Sequence, residues 1–224
     1  MQDLTLIIPA KNEPESLPYI LIELEKLNLN YIIIMEKTDF VTINSIEKFK
    51  SKIIFQNNKG YGDALIKGLQ NVKTKYFLVM YADGSTNPNE ASKFYNEIKE
   101  KNFDLLFGTR YSKNGSSEDD NFITYIGNKI FTLIGKIFFS ISITDILYTF
   151  VMGDTQKVLN LQLKQKDFRF CVELPIKAKR KDLKISDIGS NERKRISGTK
   201  KVNDFKDGFL ILIEMIYLFL NNKR

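Results

Sequence analysis

The chain has 224 residues, 43% hydrophobic and 27% charged, which is enough for one well-buried domain. It contains no histidine, so the most common general base and the most common zinc ligand are excluded. Any catalysis must therefore use carboxylates, cations or a hard metal. The lone Cys171 excludes an internal disulfide, and a short first apolar run without a basic lead predicts no signal peptide.

The net charge of +7 is concentrated in the C-terminal third. Residues 164–206 carry 14 Lys or Arg against six Asp or Glu, which indicates an anionic partner. Phosphorylated substrates, acidic lipid headgroups and nucleic acid all fit the charge. We expect no nucleic-acid partner, because few aromatic residues lie among the basic ones to stack on bases.

Short apolar runs alternate with helical patterns through the first half. The predicted strands are residues 4–9, 31–35, 52–56, 76–80 and 104–108, and the predicted helices are residues 15–27, 42–49, 62–72 and 89–101. This alternation predicts an α/β fold with a mostly parallel central sheet and helices on both faces. Ligands of such folds bind at the carboxyl ends of the strands.

Residues 122–143 are very apolar, and a membrane-spanning helix must be considered there. Lys129 and Lys136 lie in mid-segment on one face, which is unusual for a spanning helix. An amphipathic helix fits better, either covering the sheet, which is the simpler interpretation, or lying in a membrane interface. Residues 209–220 are too few to span a membrane.

Polar residues follow the predicted strands. Pro9, Asn12 and Glu13 follow the first strand and Glu36 follows the second, although an ordinary strand-to-helix turn would explain the first group. The third strand is followed by Lys59, Gly60, Gly62 and Asp63. Glycines there would let the backbone approach a ligand, and the next helix N-terminus would favour an anion, but a plain turn explains them as well.

Asp83 lies in the segment Tyr81-Ala82-Asp83-Gly84-Ser85, just after the fourth strand. A carboxylate at this position can hold Mg²⁺ or Mn²⁺ against a diphosphate, since these ions need few protein ligands. The alternative is that Asp83 caps the helix that begins near residue 87.

Seven segments together resemble the family 2 glycosyltransferases, in particular the branch of dolichyl-phosphate mannose and glucose synthases. They are residues 8–13 (IPAKNE), 58–64 (NKGYGDA), 82–84 (ADG), 107–111 (FGTRY), 144–148 (TDILY), 168–173 (FRFCVE) and 195–201 (RISGTKK). They occur in the family's order and cover nearly the whole chain. The resemblance implies a single GT-A-like nucleotide-diphospho-sugar transferase domain over residues 1–224. Its nucleotide-sugar-binding half would be residues 1–115, and its acceptor-side half residues 116–224.

The resemblance also implies an inverting transfer of a hexose from a nucleotide-sugar donor, with Mg²⁺ or Mn²⁺ as cofactor. It assigns site residues by position. Pro9, Asn12 and Glu13 would line the nucleoside pocket with Glu36 near the base or ribose, Asp83 would hold the metal, Arg195 and Lys201 would clamp the diphosphate, and Arg110 would act on the acceptor side.

Two positions depart from the family pattern. Tyr81 replaces the first acidic residue of the usual D-x-D metal motif, so we expect a metal site that assembles when the nucleotide-sugar arrives. The same replacement leaves open the alternative that the protein is a non-catalytic relative that binds a nucleotide-sugar. Residues 36–39 (EKTD) replace the usual D-D-G-S-x-D turn, so the nucleotide is not identified.

The acceptor decides whether the reaction needs a base. A lipid phosphate is already ionised, whereas a sugar hydroxyl requires a carboxylate, for which Asp145, with Glu173 behind it, is the candidate. A helix cap is an equally good interpretation of Asp145. The apolar segment beside the basic third favours polyprenyl phosphate over a glycan acceptor. We expect a cytoplasmic protein, peripheral at the inner membrane face or held by a membrane-protein partner.

Overall fold

A seven-stranded mixed sheet organises the chain in the computed structural model, which describes residues 1–221. Its strands are β1 (Leu4–Pro9), β2 (Tyr31–Met35), β3 (Ile53–Phe55), β4 (Tyr76–Val79), β5 (Leu105–Thr109), β7 (Val151–Asp154) and β8 (Ile185–Gly189), in the order β3-β2-β1-β4-β7-β5-β8. A separate two-stranded ladder pairs β6 (Ser116–Ser117) with β9 (Asn191–Glu192).

Helices cover both faces of the sheet. They are α1 (Ser16–Lys26), α2 (Phe40–Ser45), α3 (Tyr61–Asn71), α4 (Ala91–Glu100), α5 (Phe122–Phe139), α6 (Thr155–Leu159), α7 (Phe170–Arg180) and α8 (Asp204–Leu220). Successive residues of β1 divide between two apolar layers: Leu6 and Ile8 pack with α1 and α4, and Ile7 packs with α3 and α7. The predicted α/β fold with a mostly parallel sheet is confirmed.

The five predicted strands are confirmed within one residue at each end, but β7 and β8 were not predicted. β7 runs antiparallel to both β4 and β5 and separates them. Gly153 permits this insertion, because a Cβ there would lie 2.6 Å from Leu105 and 2.9 Å from Phe77. Helix α2 begins before the predicted residue 42, because the Asp39 side chain accepts a hydrogen bond from Thr42 N at 3.3 Å and caps it earlier.

α5 and α8 lie side by side and leave large apolar surfaces exposed. α5 ends at Phe139, earlier than predicted, where Ser140 turns the backbone into the left-handed region at φ 54°. Within the described residues, α5 is the one helix long and apolar enough to cross a membrane by length and composition, and 11% of it is buried in the protein. The predicted domain extends three residues beyond the described part of the chain.

Candidate active site

A cavity of about 530 Å³ opens at the carboxyl ends of β1, β2 and β4 and continues between α5 and α8. Eight of the residues predicted for the site line it: Pro9, Glu13, Glu36, Gly60, Asp83, Arg110, Arg195 and Lys201. They converge because parallel strands end at the same edge of the sheet. The fold thus brings residues separated by up to 192 positions into one cavity.

Asp83 presents one carboxylate oxygen to this cavity. Its Oδ1 accepts hydrogen bonds from Ser85 N at 3.0 Å and Ser85 Oγ at 2.8 Å. Its Oδ2 lies 3.8 Å from the Arg195 guanidinium. The helix-cap alternative is wrong, because Asn87 caps the short 3₁₀ turn that follows. Gly84, at φ 85°, keeps Asp83 close to the basic loop, since a Cβ there would lie 2.6 Å from Ile196.

Tyr81 occupies the first acidic position of the metal motif, and its buried hydroxyl makes hydrogen bonds within the protein. The hydroxyl accepts a hydrogen bond from Thr149 N at 2.8 Å and lies 3.0 Å from Thr149 Oγ1, which in turn lies 2.6 Å from the Tyr61 hydroxyl. Burial raises the pKa of Tyr81, so the phenol is neutral. Asp83 therefore gains no second anionic ligand from this position. No group of three potential ligands among His, Cys, Asp and Glu occurs in residues 1–221.

The basic loop of residues 193–203 closes over Asp83 and is held by acidic side chains. Arg195 Nε lies 3.1 Å from each carboxylate oxygen of Asp119, and Lys201 lies 3.1 Å from Glu13. Ile196 N donates to the Asp83 carbonyl at 2.8 Å. Asp119 was not predicted as a site residue, since it pairs with Arg195 across 76 positions and no local pattern indicates that contact. The two predicted clamping cations thus already stand at the cavity, paired with carboxylates.

Glu36 and Asn12 occupy the rim beside β1 and β2. Glu36 pairs with Lys11 at 2.8 Å and lines the cavity. Asn12 does not line the cavity. The Asn12 backbone lies in the left-handed region at φ 52°. Its N–H donates a hydrogen bond to Asp39 Oδ2 at 2.7 Å, and its carbonyl accepts one from Lys201 Nζ at 3.4 Å. Asn12 therefore shapes the turn below the predicted nucleoside pocket.

The glycine-rich turn before α3 serves chain packing. A Cβ on Gly60 would lie 2.2 Å from the Lys166 carbonyl, and a Cβ on Gly62 would lie 2.2 Å from the Gln165 carbonyl. Asp63 N donates to the Lys166 carbonyl at 3.0 Å, and the Asp63 side chain accepts two hydrogen bonds from Asn58. Both glycines admit residues 165–167, and the predicted approach of a ligand stays a prediction for Gly60, whereas Gly62 lies away from the cavity. Lys59, Gly62 and Asp63 do not line the cavity, whereas Gly60 does.

Asp145 lies beneath the cavity and is fully buried. Its carboxylate accepts from Arg110 N at 3.1 Å, Nε at 2.8 Å and Nη2 at 3.0 Å, and also from the Asn128 amide. Arg110 reaches Glu192 at 3.3 Å as well. Burial alone would lower the pKa of Arg110, because it disfavours the charged guanidinium. The negative charges of Asp145 and Glu192 have the larger effect, so the pKa of Arg110 is raised.

Neither predicted base is in a position to meet an acceptor. Asp145 is not a helix cap and has no exposed surface, so the structure assigns it the positioning of Arg110 instead. Glu173 is also buried, where it accepts from Lys164 N at 2.9 Å and pairs with Lys177 at 2.7 Å. The buried thiol of Cys171 has its pKa raised to about 12 by desolvation, which excludes a thiolate nucleophile near neutral pH.

Comparison with known proteins decides the family. The profile of glycosyl transferase family 2 matches residues 5–158, which is more than half of the chain. The chain belongs to this family. A dolichol-phosphate mannosyltransferase of Pyrococcus furiosus is 26% identical over 186 residues, which cover 78% of this chain and 53% of that protein. An uncharacterized protein of Methanocaldococcus jannaschii is 29% identical over 118 residues, which cover 48% of this chain and 52% of that protein. The chain thus spans about half the length of these curated relatives.

Solved structures share the fold. Glucosyl-3-phosphoglycerate synthase from Mycobacterium tuberculosis, in complex with uridine diphosphate, superposes with a TM-score of 0.77 at 10% identity over 98% of this chain and 81% of that one. Mannosyl-3-phosphoglycerate synthase from Rubrobacter xylanophilus gives 0.73 at 14% identity, over 97% and 73%. Other structures of the mycobacterial enzyme contain Mn²⁺ or Mg²⁺. At these identities the likeness shows the GT-A fold alone.

Proposed function

We propose that this protein is an inverting glycosyltransferase that moves a hexose from a nucleotide-diphospho-sugar to a polyprenyl phosphate at the cytoplasmic membrane face. The observation that carries the proposal is the shape of the cavity. One end holds Asp83 and the basic loop, and the other end lies between two helices with apolar outer faces. Such a cavity suits a donor diphosphate beside an acceptor that is both anionic and hydrophobic.

The donor end carries the groups that a leaving diphosphate needs. Arg195 and Lys201 can exchange Asp119 and Glu13 for phosphate oxygens, since both cations already line the cavity. Asp83 would hold a divalent metal through the carboxylate oxygen that Ser85 leaves free, since such ions need few protein ligands. Such a metal supplies further neutralisation of the charge that develops on the diphosphate. Arg195 and Lys201 orient the phosphates and stabilise the same charge.

The acceptor side favours a nucleophile that is already ionised. Asp145 and Glu173, the carboxylates considered as bases, are buried and fully paired. A phosphate oxygen attacks the anomeric carbon without losing a proton, so the reaction needs orientation rather than a base. Arg110 stands at the cavity wall with its guanidinium held in place by Asp145 and Glu192.

The outer faces of α5 and α8 support the proposed membrane attachment. Exposed apolar residues of α5 are Phe122, Ile123, Tyr125, Ile126, Ile130, Leu133, Ile137 and Phe138, and those of α8 are Phe205, Phe209, Leu212, Ile213, Ile216, Tyr217, Phe219 and Leu220. Two adjacent helices with such faces bind a bilayer interface through buried apolar area. The surplus cations of residues 164–206 add attraction to anionic lipids.

Transfer of labelled sugar tests the proposal. The protein is incubated with UDP-, GDP- and CDP-sugars, with and without Mn²⁺, and with polyprenyl phosphate in vesicles, 3-phosphoglycerate or a free sugar as acceptor. We expect transfer to polyprenyl phosphate and its loss in Asp83→Asn. Transfer to a hydroxyl acceptor alone would instead indicate an enzyme of glycan or other hydroxyl-acceptor synthesis. Donor binding without turnover on any acceptor would indicate a non-catalytic relative.

A further inference from the structure

The turn that carries Asp83 is bonded to the basic loop through four consecutive backbone carbonyls, those of residues 83–86. The Asp83 carbonyl accepts a hydrogen bond from Ile196 N at 2.8 Å. The other three carbonyls accept from Arg193, the first residue of the basic loop. Its backbone N donates to Ser85 at 2.7 Å, its Nε donates to Gly84 at 3.1 Å, and its Nη2 donates to Thr86 at 3.0 Å.

Glu23 of α1 holds the same guanidinium from the other side. Arg193 Nη1 and Nη2 each donate to one carboxylate oxygen of Glu23, both at 3.0 Å. Four of the five guanidinium N–H groups are therefore used. Both side chains of the pair are about a third exposed, so the ion pair by itself adds little to stability. The planar guanidinium instead fixes geometry, since a lysine ammonium cannot hold a carboxylate and two carbonyls in one plane.

These contacts determine where the Asp83 carboxylate points. Ser85 N and Oγ hold Asp83 Oδ1, which leaves Oδ2 at the cavity, 3.8 Å from the Arg195 guanidinium. Ser85 is also the residue whose carbonyl Arg193 N holds, and it is buried. Arg193 does not line the cavity. It therefore acts on Asp83 through the turn and does not meet a ligand.

We propose that Arg193 is a positioning residue that holds the Asp83 turn and the basic loop as one unit. A metal on Asp83 and the guanidinium of Arg195 then meet the same diphosphate. The inference rests on the proposed function, in which Asp83 holds the metal, and it adds the residue that aligns the metal site with the phosphate clamp. Metal and diphosphate should each raise the affinity for the other, and this mutual gain depends on Arg193.

Calorimetric titration of UDP and of GDP into the whole protein, with and without Mn²⁺, measures the gain. We expect Mn²⁺ to raise the affinity of the wild type for one of them roughly tenfold or more. Arg193→Lys should lose most of this gain, since removing a group that orients a metal ligand costs roughly 10–100-fold in metal affinity. The affinity without Mn²⁺ should stay close to the wild-type value, because lysine keeps the charge and Arg195 and Lys201 remain.

Lys194→Gln is the matched control, because it removes a cation from the next residue of the loop, which is exposed and does not line the cavity. It should keep the gain. Glu23→Gln loosens the same guanidinium from α1 and should lower the gain by a smaller factor. It decides the question if calorimetric unfolding shows that Arg193→Lys is not folded.

The inference is overturned if the folded variants of Arg193 and Glu23 keep the wild-type gain. It is also overturned if Arg193→Lys weakens diphosphate binding equally with and without Mn²⁺, since Arg193 would then anchor the basic loop only. A wild type that gains nothing from Mn²⁺ would refute the metal role of Asp83 and the inference with it. A gain that depends on Arg193 in a protein that transfers no sugar would uphold the inference and refute the proposed function.

Discussion

Replacing Asp145 with asparagine separates a positioning role from a catalytic one. Asp145 has no exposed surface and accepts four hydrogen bonds, three of them from Arg110. Asparagine has the same volume, but its amide NH₂ would face the donor groups of Arg110 and Asn128. The substitution also removes the main counter-charge of the Arg110 guanidinium. Breaking a buried ion pair on one side costs roughly 3–5 kcal/mol. For a chain of this length, that corresponds to a fall in Tm of roughly 6–20 °C.

Differential scanning calorimetry measures the shift, and sugar transfer is measured on the same preparation. Asp187→Asn is the control, since Asp187 accepts two hydrogen bonds from Thr144 at a partly exposed site and its loss should cost less than about 1 kcal/mol. If Asp145→Asn kept the wild-type Tm and lost transfer completely, Asp145 would be a base that meets the acceptor. The positioning argument would then be refuted.

Three further substitutions test other contacts of the site. Tyr81→Phe leaves the buried Thr149 N–H without its partner and should lower the free energy of unfolding in urea by about 1–3 kcal/mol. Arg195→Gln should weaken nucleoside diphosphate binding roughly tenfold and reduce its salt dependence, as titration at two ionic strengths would show. Burial raises the pKa of Glu214, so its proton stabilises the fold at low pH and this stability is lost as pH rises through the folded pKa. Glu214→Gln should therefore raise Tm more at pH 8 than at pH 4.5.

The order of the first elements could be predicted because their side chains repeat the pattern of buried strands and amphipathic helices. β1 and β2 match the predicted residues, since each is a continuous apolar run covered on both faces. β7 could not be predicted in the same way. Its four residues, Val151 to Asp154, include a glycine and an aspartate, and they join the sheet because Leu105 and Phe77 fill the space above Gly153.

The site was predictable where it follows the strand ends and unpredictable where it depends on long-range pairing. Asp83 and Glu36 lie where a strand stops, so the pattern locates them. Asp119 contributes through Arg195, and no local signal links the two. Asp145 was misjudged because the sequence shows that a carboxylate is present but not that Arg110 surrounds it. Gly62 was misjudged because the segment that packs against it is 103 residues away.

Tyr81 changes the charge balance beside Asp83, and this determines how the site should respond to metal. A second carboxylate would strengthen binding of free metal but would also repel a diphosphate. With a neutral phenol turned toward Thr149, Asp83 offers one open oxygen, and Arg195 stands 3.8 Å from it. Mn²⁺ alone should therefore bind weakly, without saturation below roughly millimolar concentration, since one carboxylate holds such an ion only together with substrate phosphates and water. Nucleoside diphosphate should make Mn²⁺ binding saturable, and Asp83→Asn should abolish the gain while the diphosphate still binds through Arg195 and Lys201. Tight binding of Mn²⁺ to the free protein in calorimetry would contradict this reasoning and require a second acidic ligand near Asp83.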